Sequence, residues 1–259
     1  MNDPALLKEY IGRARDAGFM LADDGTKFAL GYSIPQEGCE ILRELVLRER
    51  PKTIVEIGMA LGSSTAYIAS AVAELKEPCR FIVIDPFQER HWKNVGLKTL
   101  RDLNLHDYVE LHQDFSHIAL SRLETEGTTV DFAFVDGSHL FDYVMTDFLL
   151  LDRIFAIGGT MVFDDIQWPA VLKAMRFVLK NRSYRPLLAE SSTVVPWNPN
   201  PLEKLKVGIG RVVPPFLQKY LAPEVWLPNW DLGIRGRFLA IRKEAMDGRG
   251  DQEMFHKVF

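Results

Sequence analysis

Two short acidic stretches carry the clearest chemical signal in this sequence. Val135-Asp136-Gly137-Ser138-His139 ends one apolar run, and Phe163-Asp164-Asp165-Ile166-Gln167-Trp168 ends another. If those runs are neighbouring parallel strands, about 4.8 Å apart, Asp136, Asp164 and Asp165 converge at their carboxyl ends. That edge is where open α/β sheets bind ligands. Three carboxylates in one cleft repel each other, and at least one takes up a proton unless a cation is present. Hard oxygen ligands favour Mg2+ or another divalent cation, with the remaining octahedral positions left to water and substrate oxygens. His139 beside them is a candidate base near neutral pH. The plainer reading is that Asp136-Gly137 is a turn pair and that Asp164 or Asp165 caps the next helix.

A second signal is the turn Glu56-Ile57-Gly58-Met59-Ala60-Leu61-Gly62-Ser63-Ser64-Thr65. A glycine-rich turn between strand and helix directs backbone N–H groups and the positive helix end toward a ligand. A dinucleotide fingerprint needs three glycines, whereas Ala60 holds the middle position here and no third glycine follows. No lysine follows Gly62, so a P-loop is also disfavoured. Asp85 ends FIVIDPF, where a carboxylate can accept hydrogen bonds from both ribose hydroxyls. Asp114-Phe115-Ser116 offers hydrogen bonding and stacking to an adenine. A ligand with ribose, adenine and a cationic amino-acid end, but no phosphate, suits this acid-lined cleft.

With VEIGMALGSST, then VIDPF, then HQDFS in order at strand ends over roughly residues 30–190, the chain resembles the class I S-adenosylmethionine-dependent methyltransferases. The resemblance implies that the turn of Gly58, Ala60 and Gly62 wraps the methionine part and that Glu56, which precedes it, is also a cofactor-binding residue. It further implies that Ser64 meets the methionine carboxylate, that Asp85 binds ribose, and that Asp114, Phe115 and Ser116 surround adenine. The acidic cluster looks like that of metal-dependent small-molecule O-methyltransferases, including the caffeoyl-CoA and catechol enzymes. Asp165 stands where those have asparagine, and His139 where they have lysine. The V-D-G-S-H and F-D-D version is closer to macrocin-type enzymes, which methylate sugar hydroxyls. The implied reaction is methyl transfer to a hydroxyl of a small metabolite, sugar or phenolic. Asp136, Asp164 and Asp165 would hold Mg2+, while His139 takes the proton. Two alternatives stay open: a donor-binding module without catalysis, and an iron- or NAD-dependent oxidoreductase on the same scaffold. The complete acid set argues against the first. The missing third glycine and the lack of a second histidine near His139 argue against the second.

The elements that must position these residues follow from hydrophobic pattern. TIVEI (53–57), FIVI (81–84), YVELH (108–112), VDFAFV (130–135) and TMVF (160–163) are continuous apolar runs, as in strands covered on both faces. Helical patterns separate them: 64–75, 92–103, 116–124 and 141–155. This alternation predicts α/β architecture, a doubly wound, mostly parallel Rossmann-like sheet with helices on both faces. Residues 1–50 are read as N-terminal helices, one starting at Ser33 as N-cap with Gln36 closing a capping box. Residues 51–191 form the cofactor-binding core of a single domain, with a helix at 169–181 and a strand at 185–191. Residues 186–230 hold eight of the 14 prolines and three of the five tryptophans. That shift marks 192–235 as an insertion capping the cleft or serving as a packing or dimerisation flap. Residues 236–259 bring the last strand (237–243) and a tail.

Composition excludes other classes. Lys plus Arg is 31 and Asp plus Glu 35, a net charge of −4, which lacks the basic excess of a nucleic-acid or anionic-membrane binder. Cys39 and Cys79 form no CxxC pattern, so a zinc site or disulfide framework is not expected, and a cytoplasmic setting is the default. No apolar stretch approaches the roughly 20 residues of a membrane span. The expected partner is a small hydroxylated substrate, with no nucleic acid and no membrane; the aromatic-rich flap would suit a homodimer.

Overall fold

The computed structural model describes residues 4–187, 199, 201–214, 217 and 226–248. Helix α1 (Pro4–Ala17) leads into a hairpin of β1 (Phe19–Leu21) and β2 (Lys27–Ala29), and then α2 (Gln36–Glu49). The core follows as β3 (Thr53–Ile57), α3 (Ser63–Leu75), β4 (Arg80–Ile84), α4 (Val95–Asp102), β5 (Glu110–His112) and α5 (Ser116–Thr125). Next come β6 (Val130–Val135), α6 (Phe141–Ile154), β7 (Phe155–Phe163) and α7 (Pro169–Asn181). The described part ends with β8 (Tyr184–Pro186), α8 (Pro201–Val212) and β9 (Leu239–Lys243). The large sheet has seven strands in the order β5-β4-β3-β6-β7-β9-β8. Its first five are parallel, and β9 runs antiparallel to both neighbours.

Strand parity divides the core into two layers. Ile54, Phe81, Val83, Phe132 and Phe134 face α2 and α3. Val55, Ile57, Ile82, Ile84, Ala133 and Val135 face α5 and α6. Both layers exclude water, which is why these strands lack a polar face.

Several boundaries differ from the sequence pattern for local reasons. Helix α2 starts at Gln36 with Pro35 as N-cap and no side-chain cap bond, because a residue before proline is driven extended. Ser33 does not cap it; its hydroxyl pairs with that of Ser63 at 2.9 Å. Helix α4 begins at Val95 rather than Trp92, since Lys93 and Asn94 both take positive φ (48° and 58°). Of YVELH only Glu110–His112 pairs, after a 3-10 turn at His106–Tyr108. Residues 188–191 of the expected strand lie outside the described residues, as do Trp197, Phe216, Tyr220 and the tail from 249. The β1–β2 hairpin was not anticipated; Asp24-Gly25, with Gly25 at φ 82°, is the turn signal that marks it.

Candidate active site

Register places the chemistry. Ile57 pairs with Ile84 on one side and Val135 on the other, and Val135 pairs with Phe163. The next residue of each strand is therefore Asp85, Gly58, Asp136 and Asp164, side by side across one rim. The ladder runs one step further: Gly58 N–H donates to Ile84 (2.9 Å), Asp136 N–H to Ile57 (2.9 Å) and Asp164 N–H to Val135 (3.2 Å). A cleft of about 420 Å³ opens over this rim on the α5 and α6 side, lined by Ile57, Gly58, Ala60, Asp85, Phe115, Ser116 and Asp136 among others.

On the β4 side everything is tied down. Asp85 is 3% exposed. Its carboxylate accepts from Met59 N–H (3.1 Å), Ala60 N–H (2.9 Å), Phe87 N–H (2.8 Å) and Gln88 Nε2 (2.9 Å). Gln88 Nε2 also donates to the Ala60 carbonyl at 2.8 Å. Asp85 thus folds the glycine turn around itself, and Ala60 sits in it at φ 44°, a region costly for an L-residue. The glycines have a structural reason: a Cβ on Gly58 (φ 94°) would lie 2.2 Å from the Asp136 carbonyl, and one on Gly62 3.0 Å from Gly96. The close approach that they permit is of chain to chain.

On the β6–β7 side charges crowd. Asp136 accepts no side-chain hydrogen bond among the described residues; burial, then the charges of Asp164 and Asp165, push its pKa well above the carboxylate range. Asp164 is raised too, chiefly by burial, although Arg237 grips it with Nε at 2.6 Å and Nη2 at 2.5 Å. The same guanidinium lies 3.2 Å from Asp165. Asp165 accepts from Gln167 Nε2 at 2.8 Å, and its Oδ2 meets His139 Nε2 at 2.7 Å. It does so from φ 52°, a strained backbone of the kind concentrated at functional sites. The Trp168 ring stands edge-on to His139 at 5.1 Å and is exposed.

Residues 55–166, from within β3 to just past β7, match a protein family described as "Methyltransferase domain". That span of the chain is similar to methyltransferase domains. The matched span contains every acid of the rim. Among solved structures, an O-methyltransferase from Bacillus cereus in complex with SAH shares 13% identity, with 93% of this chain and 92% of that chain covered and a TM-score of 0.61. The O-methyltransferase TomG from Streptomyces achromogenes, involved in tomaymycin synthesis and solved with SAM, shares 15% identity over 95% and 92%, with a TM-score of 0.60. Both likenesses are of fold. No curated protein matches in sequence. No helix among the described residues is long and apolar enough to cross a membrane.

Within that matched span, the structure sorts the residues singled out from sequence. Gly58, Ala60, Asp85, Phe115, Ser116 and Asp136 line the cleft. Glu56 does not: strand parity turns it toward α3, away from Ile57. There it is fully buried, its Oε1 accepts from Ser64 Oγ at 2.5 Å, and its Oε2 has no partner among the described residues. Burial pushes its pKa to about 8. Gly62 and Ser64 are likewise not among the residues that line the cleft. Asp114 also leaves the cleft, paired with Arg122 at 3.0 Å.

The expected acid trio is regrouped as well. Asp136, His139 and Asp165 have ligand atoms within 4.8 Å of one another, whereas Asp164 is committed to Arg237. The sequence reading missed Arg237 altogether. It precedes β9, and an antiparallel strand begins at the rim where parallel strands end. Three aspartates against one guanidinium leave two formal negative charges, so one divalent cation would balance the cluster. The chemistry of the donor set fits such an ion, and the cleft fits an adenosyl group in size and lining.

Proposed function

We propose that this protein transfers a methyl group from S-adenosylmethionine to a hydroxyl of a small metabolite, a sugar or a phenol. The observation that carries the reading is that Asp136 belongs both to the cleft lining and to the Asp136–His139–Asp165 cluster. Donor and acceptor sites therefore share a wall. Bound there, the donor supplies an electrophilic methyl group, and a divalent cation, Mg2+ for hard ligands, acidifies the acceptor hydroxyl. Asp136 and Asp165 would hold the cation, with His139 at its edge.

The chain's own groups do the positioning. The Asp85-bound turn keeps Gly58 and Ala60 in the floor of the cleft. Asp165 orients the His139 ring through Nε2, so Nδ1, which has no partner among the described residues, can receive the hydroxyl proton, as in other carboxylate-oriented histidines. Arg237 holds Asp164 in place through two hydrogen bonds. The exposed Trp168 edge beside His139 offers an apolar wall to the acceptor ring.

Calorimetry with S-adenosylhomocysteine and thermal melting with Mg2+ test this directly. Micromolar binding is expected for the first. For the second, Mg2+ should raise the melting temperature of the wild type and leave Asp136→Asn unmoved. Absence of S-adenosylhomocysteine binding would overturn the donor assignment, and an equal Mg2+ response in Asp136→Asn would remove the cation from this cluster.

A further inference from the structure

Helix α8 shows to solvent the kind of face that a helix usually buries. Leu202 is 62% exposed, Leu205 60%, Ile209 57% and Val212 80%. Their spacing of three, four and three puts them on one stripe. The helix docks on the rest of the protein through Val207 and Gly210, which at about 100° per residue lie roughly opposite that stripe. A surface helix normally turns polar side chains to that side. Bulky apolar groups gathered there and left in water mark an interaction site.

Cations border the stripe. By helical spacing Lys206 flanks it on one side, and Lys204 lies beyond Gly208 on the other; both lysines are exposed. Lys204 and Arg211 also line a cavity of about 400 Å³ together with Val207, Gly208, Pro199 and Trp230. Nothing lies within 4 Å of where a Gly208 Cβ would stand, so the glycine leaves the helix side of that cavity open. Arg211 is paired with Asp231. Over α8 as a whole, three basic residues face one acid, Glu203. The chain-wide net charge of −4, which argues against an anionic membrane partner, averages this helix away.

We infer that α8 docks this protein on an anionic lipid bilayer, the apolar stripe entering the acyl boundary and the cavity beside Lys204 and Arg211 receiving a phosphate headgroup. Shape favours a bilayer over a second copy. The 12-residue helix is about 18 Å long and about 10 Å across. One face of that size falls well short of the roughly 800 Å² per partner in a stable dimer. A convex ridge needs a matching groove on a protein but none in lipid, and lysines beside it reach headgroups along their own apolar stems. The inference stands apart from the donor assignment.

Vesicle sedimentation with the full chain tests it, comparing phosphatidylcholine and phosphatidylglycerol in equal parts with phosphatidylcholine alone. The wild type should bind the mixed vesicles about tenfold or more tightly than the neutral ones, since each basic residue near an anionic surface is worth roughly fivefold. Lys204→Gln with Lys206→Gln should remove most of that preference. Leu205→Glu with Ile209→Glu should abolish binding to both vesicles and leave the melting temperature unchanged, because both side chains are exposed. The lysine pair keeps the test decisive should the glutamates disturb the helix. No sedimentation of the wild type with mixed vesicles, or equal binding to phosphatidylcholine alone, overturns the inference. A lipid-free dimer that Ile209→Glu splits in analytical ultracentrifugation overturns it as well, and gives the stripe to a second copy of the chain.

Discussion

Asp85 and Asp136 end the strands on either side of β3, one step beyond paired residues, yet they live in opposite environments. Asp85 is saturated by N–H donors from its own loop and the glycine turn. Asp136 accepts none and faces two other aspartates. The first carboxylate is a structural centre: it has spent its lone pairs on holding the donor side of the cleft in shape before any ligand arrives. The second is kept short of partners, and the fold holds it there at a cost that a proton or a cation can relieve. One rim thus combines a preorganised half with a half that responds to what binds.

Arg237 is where that contrast can be broken most severely. It is the only cation within ion-pairing distance of Asp164 among the described residues, and that aspartate's side chain is fully buried. Arg237→Met should destabilise the protein by about 3 kcal/mol or more, as when one partner of a buried pair is removed. Urea unfolding would measure it. Adding Asp164→Asn should restore much of the loss, because the penalty lies in the orphaned charge. If the charge count is right, Mg2+ should stabilise Arg237→Met more than the wild type. Additive losses in the double variant would mean that Arg237 acts through packing.

The same substitution at the two strand-end acids should have opposite signs. Asp85→Asn replaces two acceptor oxygens with one and sets an NH2 group among N–H donors, which should cost about 2 kcal/mol. It should also weaken S-adenosylhomocysteine binding by loosening the turn. Asp136→Asn should instead stabilise the ligand-free protein. The sign follows from linkage: the folded state raises the pKa of Asp136, so the folded wild type holds its proton more tightly than the unfolded chain. Wild-type stability therefore falls as pH rises above the ordinary carboxylate range. The advantage of Asp136→Asn should be present at pH 8 and shrink toward pH 4. Melting curves at both pH values decide it, and a loss of stability in both variants would dissolve the distinction.

How much of this was legible depended on whether a residue's position follows from its own element. Asp85 and Asp136 follow continuous apolar runs, and a parallel sheet puts all such ends on one edge, so sequence order sufficed. Glu56 lies on the α3 side of β3, bound to Ser64, which an apolar run does not disclose. Asp114 follows a strand of only three residues, and nothing local reveals that Arg122 on α5 turns back to it. Arg237 is 73 positions from Asp164, and its role depends on β9 running antiparallel, which an apolar run does not disclose. Asp147 is one of three acids on α6, with Asp142 and Asp152, and only packing reveals that it lines the cleft, whereas Asp152 is bound by Arg182, Tyr184 and Lys243.

The smallest effect bears on what holds the preorganised half. Ala60 keeps φ 44° while its N–H and carbonyl are engaged by Asp85 and Gln88. A left-handed alanine carries a penalty of about 1–2 kcal/mol, and glycine removes it while adding about 0.4–1 kcal/mol of unfolded-chain entropy to be lost. Ala60→Gly should therefore stabilise the protein by about 0.5 kcal/mol in urea unfolding, with S-adenosylhomocysteine affinity unchanged. If the turn were held by its methyl group and not by the Asp85 hydrogen bonds, the same change would destabilise it by 1 kcal/mol or more and lower the affinity. The strain at Ala60 is then best understood as the local consequence of wrapping a backbone around one buried carboxylate.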